Sequence, residues 1–473
     1  MSERKRIYLC LAHMSEDGME QRYVKEAFDT NWVVPLGPNV NGFEKDLEEF
    51  VNQNGKIERL KNGSLSKRVV ALSAGTAAVH LGLLAAGVKP GDEVIVQSFT
   101  FCASTHPVTY LGATPVLVDS ESDTWNIDPE LLEEAIKDRI AKTGKKPAAI
   151  VPVALYGMPY KADRIMEIAN KYGIPVVEDA AEGFGSKYKG QVLGTFGKYG
   201  VLSFNGNKMI TTSGGGALIT ANDDEWREIM MYATQYRESY PYYQHEKIGY
   251  NYRMSNICAG IGRGQMTVVN DHLAHHKHVQ KMYEELLADV PGVHVHRQMS
   301  NEELVMSNGN EEMKKWISEH GDTPVYDSNY WLCTITIDED VKVKGQENAY
   351  KTIVTGAVGG AAGVIHAAES AHTDCEPNAN VEAMRVALDK AQIEARPVWK
   401  PMHCQPVYRH GNVKIEKLKN ESVICQTSES SIAYTNGVSE ALFKVGMCLP
   451  AGPYVSDDDV RYIVDTIKEN IIG

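Results

Sequence analysis

Apolar runs alternate with helical patterns between about residues 68 and 220. Short runs rich in β-branched residues lie at 69–72, 94–96, 116–119, 149–153 and 175–179. Continuous apolar runs of this length are typical of strands that are buried on both faces of a sheet. The stretches 76–86, 131–142 and 162–171 have helical patterns that suit crossover connections between parallel strands. The chain therefore predicts an α/β fold, with a mostly parallel sheet between helices.

The pattern changes near residue 253, where a helical stretch begins that continues to Leu287. An apolar run at 331–336 then predicts a strand in a second, smaller α/β unit. A chain of 473 residues is longer than one domain usually needs. We therefore expect a large domain over residues 1–260, and a long helix followed by a smaller domain over 261–473.

Two stretches of the C-terminal half look like insertions. Residues 297–327 are polar and charged, and the stretch from about 340 to 380 contains a segment rich in glycine and alanine. Because such additions can lie near a substrate opening, they bear on which substrate the protein accepts. No internal repeat is visible in the chain.

Composition indicates a globular protein with an acidic surface. The chain is 43% hydrophobic and 23% charged, and its 62 acidic and 48 basic residues give a formal charge of −14. This charge argues against nucleic acid as the main partner, although local basic residues can still bind an anionic ligand. No apolar stretch approaches the roughly 20 residues of a membrane helix, and the apolar run at 7–12 is too short for a secretory signal.

The eight cysteines are scattered along the chain and form no CxxC pair. Scattered thiols suit a reducing cytoplasm better than a disulfide framework. We therefore expect a cytoplasmic protein whose cysteines are small buried side chains, without a metal site.

Four segments carry candidate chemistry, and the first lies at 73–78. It follows a predicted strand and opens a predicted helix. Its small residues, with Gly75 and Thr76 at the turn, let the backbone approach a ligand closely, and a helix N-terminus favours a phosphate. A tight strand-to-helix turn without a ligand explains this segment equally well.

The second and third segments supply an acid and a lysine. Asp179 ends a buried strand, where ligands of α/β proteins bind, and a buried carboxylate is costly unless it is paired. A protonated pyridine nitrogen would be a suitable partner, and a helix N-cap is the alternative. Lys208 lies between a strand and the Gly-rich turn 213–216, where a desolvated amine suits imine chemistry, whereas a lone lysine is usually a surface charge. Ser203, five residues earlier, could reach a phosphate.

The fourth segment, at 249–255, places Asn251 and Arg253 between aromatic residues. These two side chains could bind a phosphate or a carboxylate. An aromatic-rich entry to a helix is the alternative.

The four segments, in this order, resemble the sugar aminotransferases of the DegT/StrS family, which are fold-type I enzymes that use pyridoxal phosphate. The resemblance extends over most of the chain, from 31–37 to 446–452, and is most specific at 203–216. It implies a large domain with a mostly parallel sheet between helices, and a smaller C-terminal α/β domain.

The resemblance also implies roles at the matching positions. Lys208 matches the lysine that binds the cofactor covalently, and Asp179 matches the acid that pairs with the pyridine nitrogen. The other matches are Glu182 at the phenolic oxygen, Phe101 stacked on the ring, Gly75, Thr76 and Ser203 at the phosphate, and Asn251 at the phosphate of the neighbouring subunit. A homodimer with shared active sites is therefore implied.

A fifth segment, Arg-Pro-Val-Trp-Lys-Pro-Met-His-Cys-Gln-Pro at 396–406, narrows the expected substrate. Arg396, Lys400 and His403 lie among prolines that fix the backbone. They could offer a diphosphate two cations and a titratable donor, and a rigid surface loop with incidental charges is the alternative. The segment is similar to one in relatives that aminate C4 of UDP-linked 4-keto-6-deoxy-HexNAc sugars.

These likenesses imply transfer of an amino group from L-glutamate to C4 of such a sugar, for glycan or lipopolysaccharide biosynthesis. Transfer to another acceptor stays open: a 3-keto sugar, a dTDP- or GDP-linked sugar, or a cyclitol. A sugar dehydratase of the family would carry histidine in place of Lys208. A regulator that only senses the cofactor would be expected to append a DNA-binding segment, and the acidic charge argues against DNA.

Overall fold

The computed structural model describes residues 4–52, 67–307, 311–350, 375–408, 414–417, 423–428 and 431–472. The helices of these ranges are α1 (Met19–Asp29), α2 (Pro38–Asn52), α3 (Gly75–Ala85), α4 (His106–Tyr110), α5 (Pro129–Thr143), α6 (Ala162–Tyr172), α7 (Asp223–Ala233), α8 (Asn256–Met266), α9 (Val269–Leu287), α10 (Asn301–Met306), α11 (Glu311–His320), α12 (Ala379–Lys390), α13 (Val438–Val445) and α14 (Asp457–Asn470). None of these described helices is long and apolar enough to cross a membrane.

The strands of the same ranges are β1 (Arg68–Leu72), β2 (Glu93–Gln97), β3 (Thr114–Val118), β4 (Ala149–Val151), β5 (Val177–Asp179), β6 (Lys187–Tyr188), β7 (Gln191–Val192), β8 (Tyr199–Ser203), β9 (Gly216–Thr220), β10 (Val293–Val295), β11 (Tyr326–Asp327), β12 (Cys333–Ile337), β13 (Lys342–Val343), β14 (Arg396–Pro397), β15 (Lys414–Lys417), β16 (Val423–Ser428), β17 (Ser431–Thr435), β18 (Gly446–Leu449) and β19 (Ile471–Ile472).

One large sheet dominates the fold. It consists of two hydrogen-bonded parts, with the orders β1-β9-β8-β5 and β4-β2-β3-β17-β16-β15. Parallel bridges from Ile150 to Val176 and from Val153 to Asp179 join the two parts. Strands β17, β3, β2, β4, β5 and β8 run parallel, whereas β9 is antiparallel to both of its neighbours. The carboxyl ends of the parallel strands therefore share one edge, and the predicted α/β fold with a mostly parallel sheet is confirmed.

The sheet is buried on both faces because its strands are apolar on both faces. In β1, Val69 and Ala71 belong to one cluster of buried side chains, and Val70 and Leu72 belong to another. This alternation follows the two-residue period of a strand. Each fully buried valine or leucine side chain contributes roughly 1.5–3 kcal/mol, so such strands are stable only between two layers of helices.

Local capping sets the ends of α5, which was predicted over 131–142. The side chain of Asp128 accepts hydrogen bonds from the backbone of Glu130 and Leu131, and Pro129 occupies the first turn. The helix stops at Gly144, which has a φ of 70°, a conformation that glycine adopts without strain. The helix is therefore slightly longer than its apolar pattern.

A smaller antiparallel sheet, in the order β10-β12-β18-β14, forms a second unit. Its side chains pack with those of α9, α12 and α14 in a cluster that includes Ile335, Met384 and Ile463. Within the second half of the chain, however, β17 leaves this unit and pairs in parallel with β3, with Ile432 opposite Val116. The domain boundary expected near residue 260 stays a prediction, and the large sheet includes strands from beyond it.

The two stretches expected as insertions both contain helices or strands. The described residues within 297–327 include α10, α11 and β11, and α10 begins with a capping box between Ser300 and Glu303. In the stretch from about 340 to 380, β13 pairs with β19. The glycine- and alanine-rich part, within 351–374, lies outside the described residues.

Candidate active site

A cavity of about 310 Å³ lies at the carboxyl ends of β1, β5 and β8 and against the loop that follows β2. In α/β proteins, ligands bind at this edge of the sheet. The cavity is lined by Ser73, Ala74, Gly75, Thr76, Val79, Thr100, Phe101, Ala103, Ser104, Val153, Asp179, Ala181, Glu182, Ser203, Asn205, Asn207, Lys208, Gly214, Gly215, Trp331 and Trp399.

Asp179 is the last residue of β5, and its carboxylate is buried beneath the cavity. One oxygen accepts a hydrogen bond from Ser104 Oγ at 2.7 Å, and the other accepts from the backbone of Ala181 at 3.1 Å. Burial raises the pKa of Asp179, while the Ser104 bond and the charge of Lys208 lower it in part. These bonds hold the carboxylate in one orientation, so that it can pair with a cationic group in the cavity.

Lys208 follows β8, and its amine points into the same cavity. A backbone bond from Lys208 to the carbonyl of Asn205 tightens the loop. The Nζ atom lies 3.5 Å from Oε1 of Glu182 and 4.0 Å from the ring centroid of Trp331. The indole of Trp331 donates to the carbonyl of Asn207 at 2.6 Å, which fixes the ring beneath the amine. An ion pair and a cation–π contact therefore position the amine.

Glu182 is almost completely buried, with 5% of its surface exposed. Its Oε2 accepts a hydrogen bond from the backbone of Tyr156 at 2.7 Å. Burial raises the pKa of Glu182, and the charge of Lys208 lowers it in part. The carboxylates of Asp179 and Glu182 thus line the same cavity as the Lys208 amine, and each accepts hydrogen bonds from different donors.

Another wall of the cavity is formed by the start of α3, which follows β1 closely in the chain. No side chain caps the N-terminus of α3. A Cβ atom at Gly75 would lie 2.9 Å from Cβ of Ser203, so glycine is required for this close approach. A Cβ at Gly216 would lie 2.4 Å from the backbone nitrogen of Gly75. Backbone N–H groups at a helix N-terminus beside a serine hydroxyl form a site that suits a phosphate.

Aromatic side chains close the remaining wall. Phe101 is 49% exposed, and its ring centroid lies 5.4 Å from that of Trp399. The backbone of Trp399 donates to the hydroxyl of Tyr156 at 2.6 Å. A flat apolar surface at this position suits a planar ligand.

Comparison with known proteins agrees with this geometry. Residues 14–314 match the DegT/DnrJ/EryC1/StrS aminotransferase family. EpsN of Bacillus subtilis (strain 168), which carries the name of a pyridoxal phosphate-dependent aminotransferase, is 35% identical over 463 residues, or 98% of this chain and 95% of EpsN. A GDP-perosamine synthase of Caulobacter vibrioides is 33% identical over 472 residues, with 100% of each chain covered.

The chain belongs to the DegT/DnrJ/EryC1/StrS aminotransferase family. As a member, it is a pyridoxal-phosphate-dependent sugar aminotransferase. An aminotransferase of the same family from Brucella abortus has the same fold, with a TM-score of 0.70 and 23% identity over 96% of this chain and 95% of that one. The family, fold class, cofactor and enzyme class expected from the sequence are therefore confirmed.

The donor groups of the cavity fit pyridoxal phosphate. A buried acid, an amine, an uncapped helix N-terminus and an aromatic wall surround one cavity. These are the groups that a pyridine nitrogen, an aldehyde, a phosphate and a planar ring require. The described residues that line the cavity therefore suit this cofactor.

Several residues singled out from the sequence do not line this cavity. Asn251 is exposed, and its backbone forms an isolated antiparallel β-bridge with Thr234. The guanidinium of Arg396 donates a hydrogen bond to the carboxylate of Glu394 at 2.8 Å. The amine of Lys400 donates a hydrogen bond to the backbone carbonyl of Cys375 at 2.9 Å. The structure therefore does not bring these two cations to the cavity wall of a single chain.

His403 is also absent from the cavity wall, and it is buried beside β2. Its Nδ1 lies 2.6 Å from Ser98 Oγ, and its Nε2 lies 3.0 Å from Oε1 of Glu440. Both ring nitrogens thus have protein partners, which suits a residue that holds the 396–406 segment in place.

The residues of the site that were not singled out from the sequence include Ser104, Trp331 and Trp399. Ser104 lies in the same segment as Phe101, and Trp399 lies in the 396–406 segment, so local motifs could have drawn attention to both. Trp331 precedes a strand of the second unit, far from Lys208 in the chain. No local pattern indicates that these two residues meet.

Proposed function

We propose that the protein transfers an amino group from L-glutamate to C4 of a UDP-linked 4-keto-6-deoxy amino sugar. The observation that carries the proposal is the position of the Lys208 amine, held by Glu182 and Trp331 in a cavity that also contains the buried Asp179. An amine so placed can accept and return a proton within one cavity.

Each cofactor-binding residue has a proposed role. Asp179 pairs with the pyridine nitrogen, and Glu182 faces the phenolic oxygen. The phosphate is held by Gly75, Thr76 and Ser203, and Phe101 stacks on the ring. Bound pyridoxal phosphate supplies a carbonyl that carries the amino group and a ring that accepts electrons.

The chain's own residues move the protons. In the first half-reaction, the Lys208 amine takes the proton from Cα of L-glutamate. In the second, Lys208 delivers a proton to C4 of the sugar. Asp179 keeps the pyridine nitrogen protonated in both, since its bonds to Ser104 and Ala181 hold the carboxylate in place. Kinetics should be ping-pong.

The sugar end of the site is proposed from the 396–406 segment. Trp399 of this segment lines the cavity, while Arg396 is partly exposed beyond it. We propose that Arg396 and Lys400 face the diphosphate and that His403 orients the segment through Ser98. We propose on this basis that the protein acts in glycan or lipopolysaccharide biosynthesis, on a nucleotide-sugar substrate in the cytoplasm.

A GDP-linked 4-keto-6-deoxy sugar is the second candidate substrate. It is favoured by the GDP-perosamine synthase of Caulobacter vibrioides, whose similarity covers 100% of both chains. The two candidates share the reaction and differ in the nucleotide.

The test is an absorbance spectrum of the protein loaded with pyridoxal phosphate, for wild type beside Lys208→Ala, before and after L-glutamate. The expected result is a visible band that requires Lys208 and disappears with glutamate. The glutamate-treated protein is then freed of excess donor and given UDP-, GDP- or dTDP-linked 4-keto-6-deoxy sugars in single turnovers. Return of the band with the UDP sugar supports the proposal, return with the GDP sugar alone supports the second candidate, and a band indifferent to glutamate overturns both.

A further inference from the structure

Three side chains that could bind a metal ion meet outside the catalytic cavity. Cys375 lies just before α12, Cys404 ends a short 3₁₀ turn in the 396–406 segment, and Glu440 belongs to α13. Their two sulfur atoms and a carboxylate oxygen all lie within 4.8 Å of one another. We refer to these three residues as the thiol–carboxylate cluster.

We propose that the thiol–carboxylate cluster binds a zinc ion through Cys375, Cys404 and Glu440. Zinc takes thiolate sulfur at about 2.3 Å and carboxylate oxygen at about 2.0–2.2 Å. Ligand atoms around one tetrahedral ion therefore lie roughly 3–4 Å apart. The separation within the cluster needs only a small closure to reach this range.

The surroundings of Glu440 support the assignment independently of the thiols. Its Oε1 lies 3.0 Å from Nε2 of His403, and the other nitrogen of this ring lies 2.6 Å from Ser98 Oγ. Ser98 Oγ also accepts a hydrogen bond from the backbone of His403, so two contacts with Ser98 hold the ring beside Glu440. Metal-binding carboxylates are oriented by hydrogen bonds of this kind.

Burial and charge also suit a metal ion. Cys375 and Cys404 are buried, whereas the Glu440 side chain is 42% exposed, which gives an ion a route from solvent. Lys400 Nζ donates a hydrogen bond to the carbonyl of Cys375 at 2.9 Å, so its positive charge lies beside the cluster. This charge would offset part of the negative charge of two thiolates and a carboxylate.

A zinc ion here would have three protein ligands, and water would fill its fourth tetrahedral position. Because the cluster does not line the catalytic cavity, the ion would act by holding segments of the chain together. It would join the start of α12, the 396–406 segment and α13. Because Cys404 and Trp399 belong to the same segment, the ion would restrain one wall of the cavity. The zinc proposal does not depend on the proposed substrate. It differs from the expectation of no metal site, which rested on the wide spacing of the cysteines along the chain.

The test uses the full-length protein, reduced, stripped of metal with a chelator, and titrated with Zn²⁺ against a chromophoric chelator. Wild type is expected to bind one tight zinc per chain and to melt at a higher temperature with zinc. Co²⁺ in its place should give a thiolate-to-cobalt charge-transfer band. Cys404→Ser should lose tight binding and the band, and Glu440→Gln should weaken binding by about tenfold or more. Cys258→Ser, a partly buried thiol on α8, is the matched control and should bind as wild type does.

Two results would overturn the assignment. One is the absence of tight zinc binding by the reduced wild-type protein. This holds also if Cys375 and Cys404 are found to form a disulfide when the protein is oxidised. The other is zinc binding by Cys404→Ser and Glu440→Gln with the affinity of wild type. Because Glu440 is partly exposed, Glu440→Gln should fold even where a cysteine variant does not, so the test keeps a readable outcome.

Discussion

The Nζ atom of Lys208 lies 3.5 Å from Oε1 of Glu182, at the bottom of a cavity in which both side chains are nearly buried. Loss of one partner of a buried ion pair lowers the stability of the folded protein. The Lys208–Glu182 pair therefore contributes to stability and also positions the amine that is proposed to move protons.

Glu182→Gln should remove the charge while keeping the hydrogen bond from Tyr156. Loss of one partner of the pair should lower the free energy of unfolding of the cofactor-free protein by roughly 1–3 kcal/mol. Lys208→Met should have a similar effect, and the double variant should be less destabilised than the sum of the two, by roughly 0.5–3 kcal/mol. Urea unfolding of the four proteins measures this, and strictly additive losses would show that the pair is not coupled.

Asp179→Asn should lower the rate of the glutamate half-reaction by roughly 10²–10³-fold, because the group that holds a positive charge in the cavity becomes neutral. Ser104→Ala removes only one of the hydrogen bonds to this carboxylate, and it should slow the reaction by about tenfold or less. Stopped-flow absorbance with L-glutamate gives both rates. Equal effects of the two substitutions would mean that Asp179 acts through its position and not through its charge.

Gly75→Ala should weaken the binding of pyridoxal phosphate by roughly 10- to 100-fold, since overpacking against Ser203 costs about 1–3 kcal/mol. The control is Gly206→Ala, where an added Cβ would lie 4.0 Å from the carbonyl oxygen of Ser213. Cofactor affinity from quenching of tryptophan fluorescence separates the two variants. Unchanged affinity in Gly75→Ala would show that the phosphate does not lie at the start of α3.

Asn251 is exposed in the single chain, and we propose that it completes the active site of a partner in a homodimer. Asn251→Ala and Lys208→Ala should each be nearly inactive as pure proteins. Mixed after dissociation, they should regain up to about a quarter of wild-type activity, because half of the dimers then contain one intact site. The idea fails if mixing restores nothing although sedimentation shows that mixed dimers form.

His276 and His296 should make the protein sensitive to mild acid. Burial lowers the pKa of each to about 3, whereas the unfolded chain binds these protons near pH 6.5. The unfolded state therefore holds more protons between these values, so stability is complete above about pH 6.5 and falls as the pH decreases. The loss should be roughly 2 kcal/mol per histidine between pH 7 and pH 5.

Urea unfolding at pH 7 and pH 5 measures this loss. His296→Phe keeps an aromatic ring at the position that stacks on Trp125, 3.9 Å away, and has no titratable group. It should show a smaller loss of stability than wild type between the two pH values. An identical loss would place the acid sensitivity elsewhere in the chain.

The sequence by itself determined the parts of this protein that depend on neighbours along the chain. The apolar runs predicted the parallel strands, and Asp179 at the end of a buried strand predicted a ligand at that edge of the sheet. This succeeds because parallel strands bring their carboxyl ends to one edge wherever the connections between them lie.

Only the tertiary structure decided how distant segments meet. It placed Trp331 beneath Lys208, paired β17 with β3, and brought Cys375 and Cys404 to Glu440. These contacts depend on packing between segments that are distant in the chain, and their free energy leaves no periodic pattern in the local sequence. For the same reason, the sequence singled out His403 as a substrate contact, whereas packing placed it between Ser98 and Glu440.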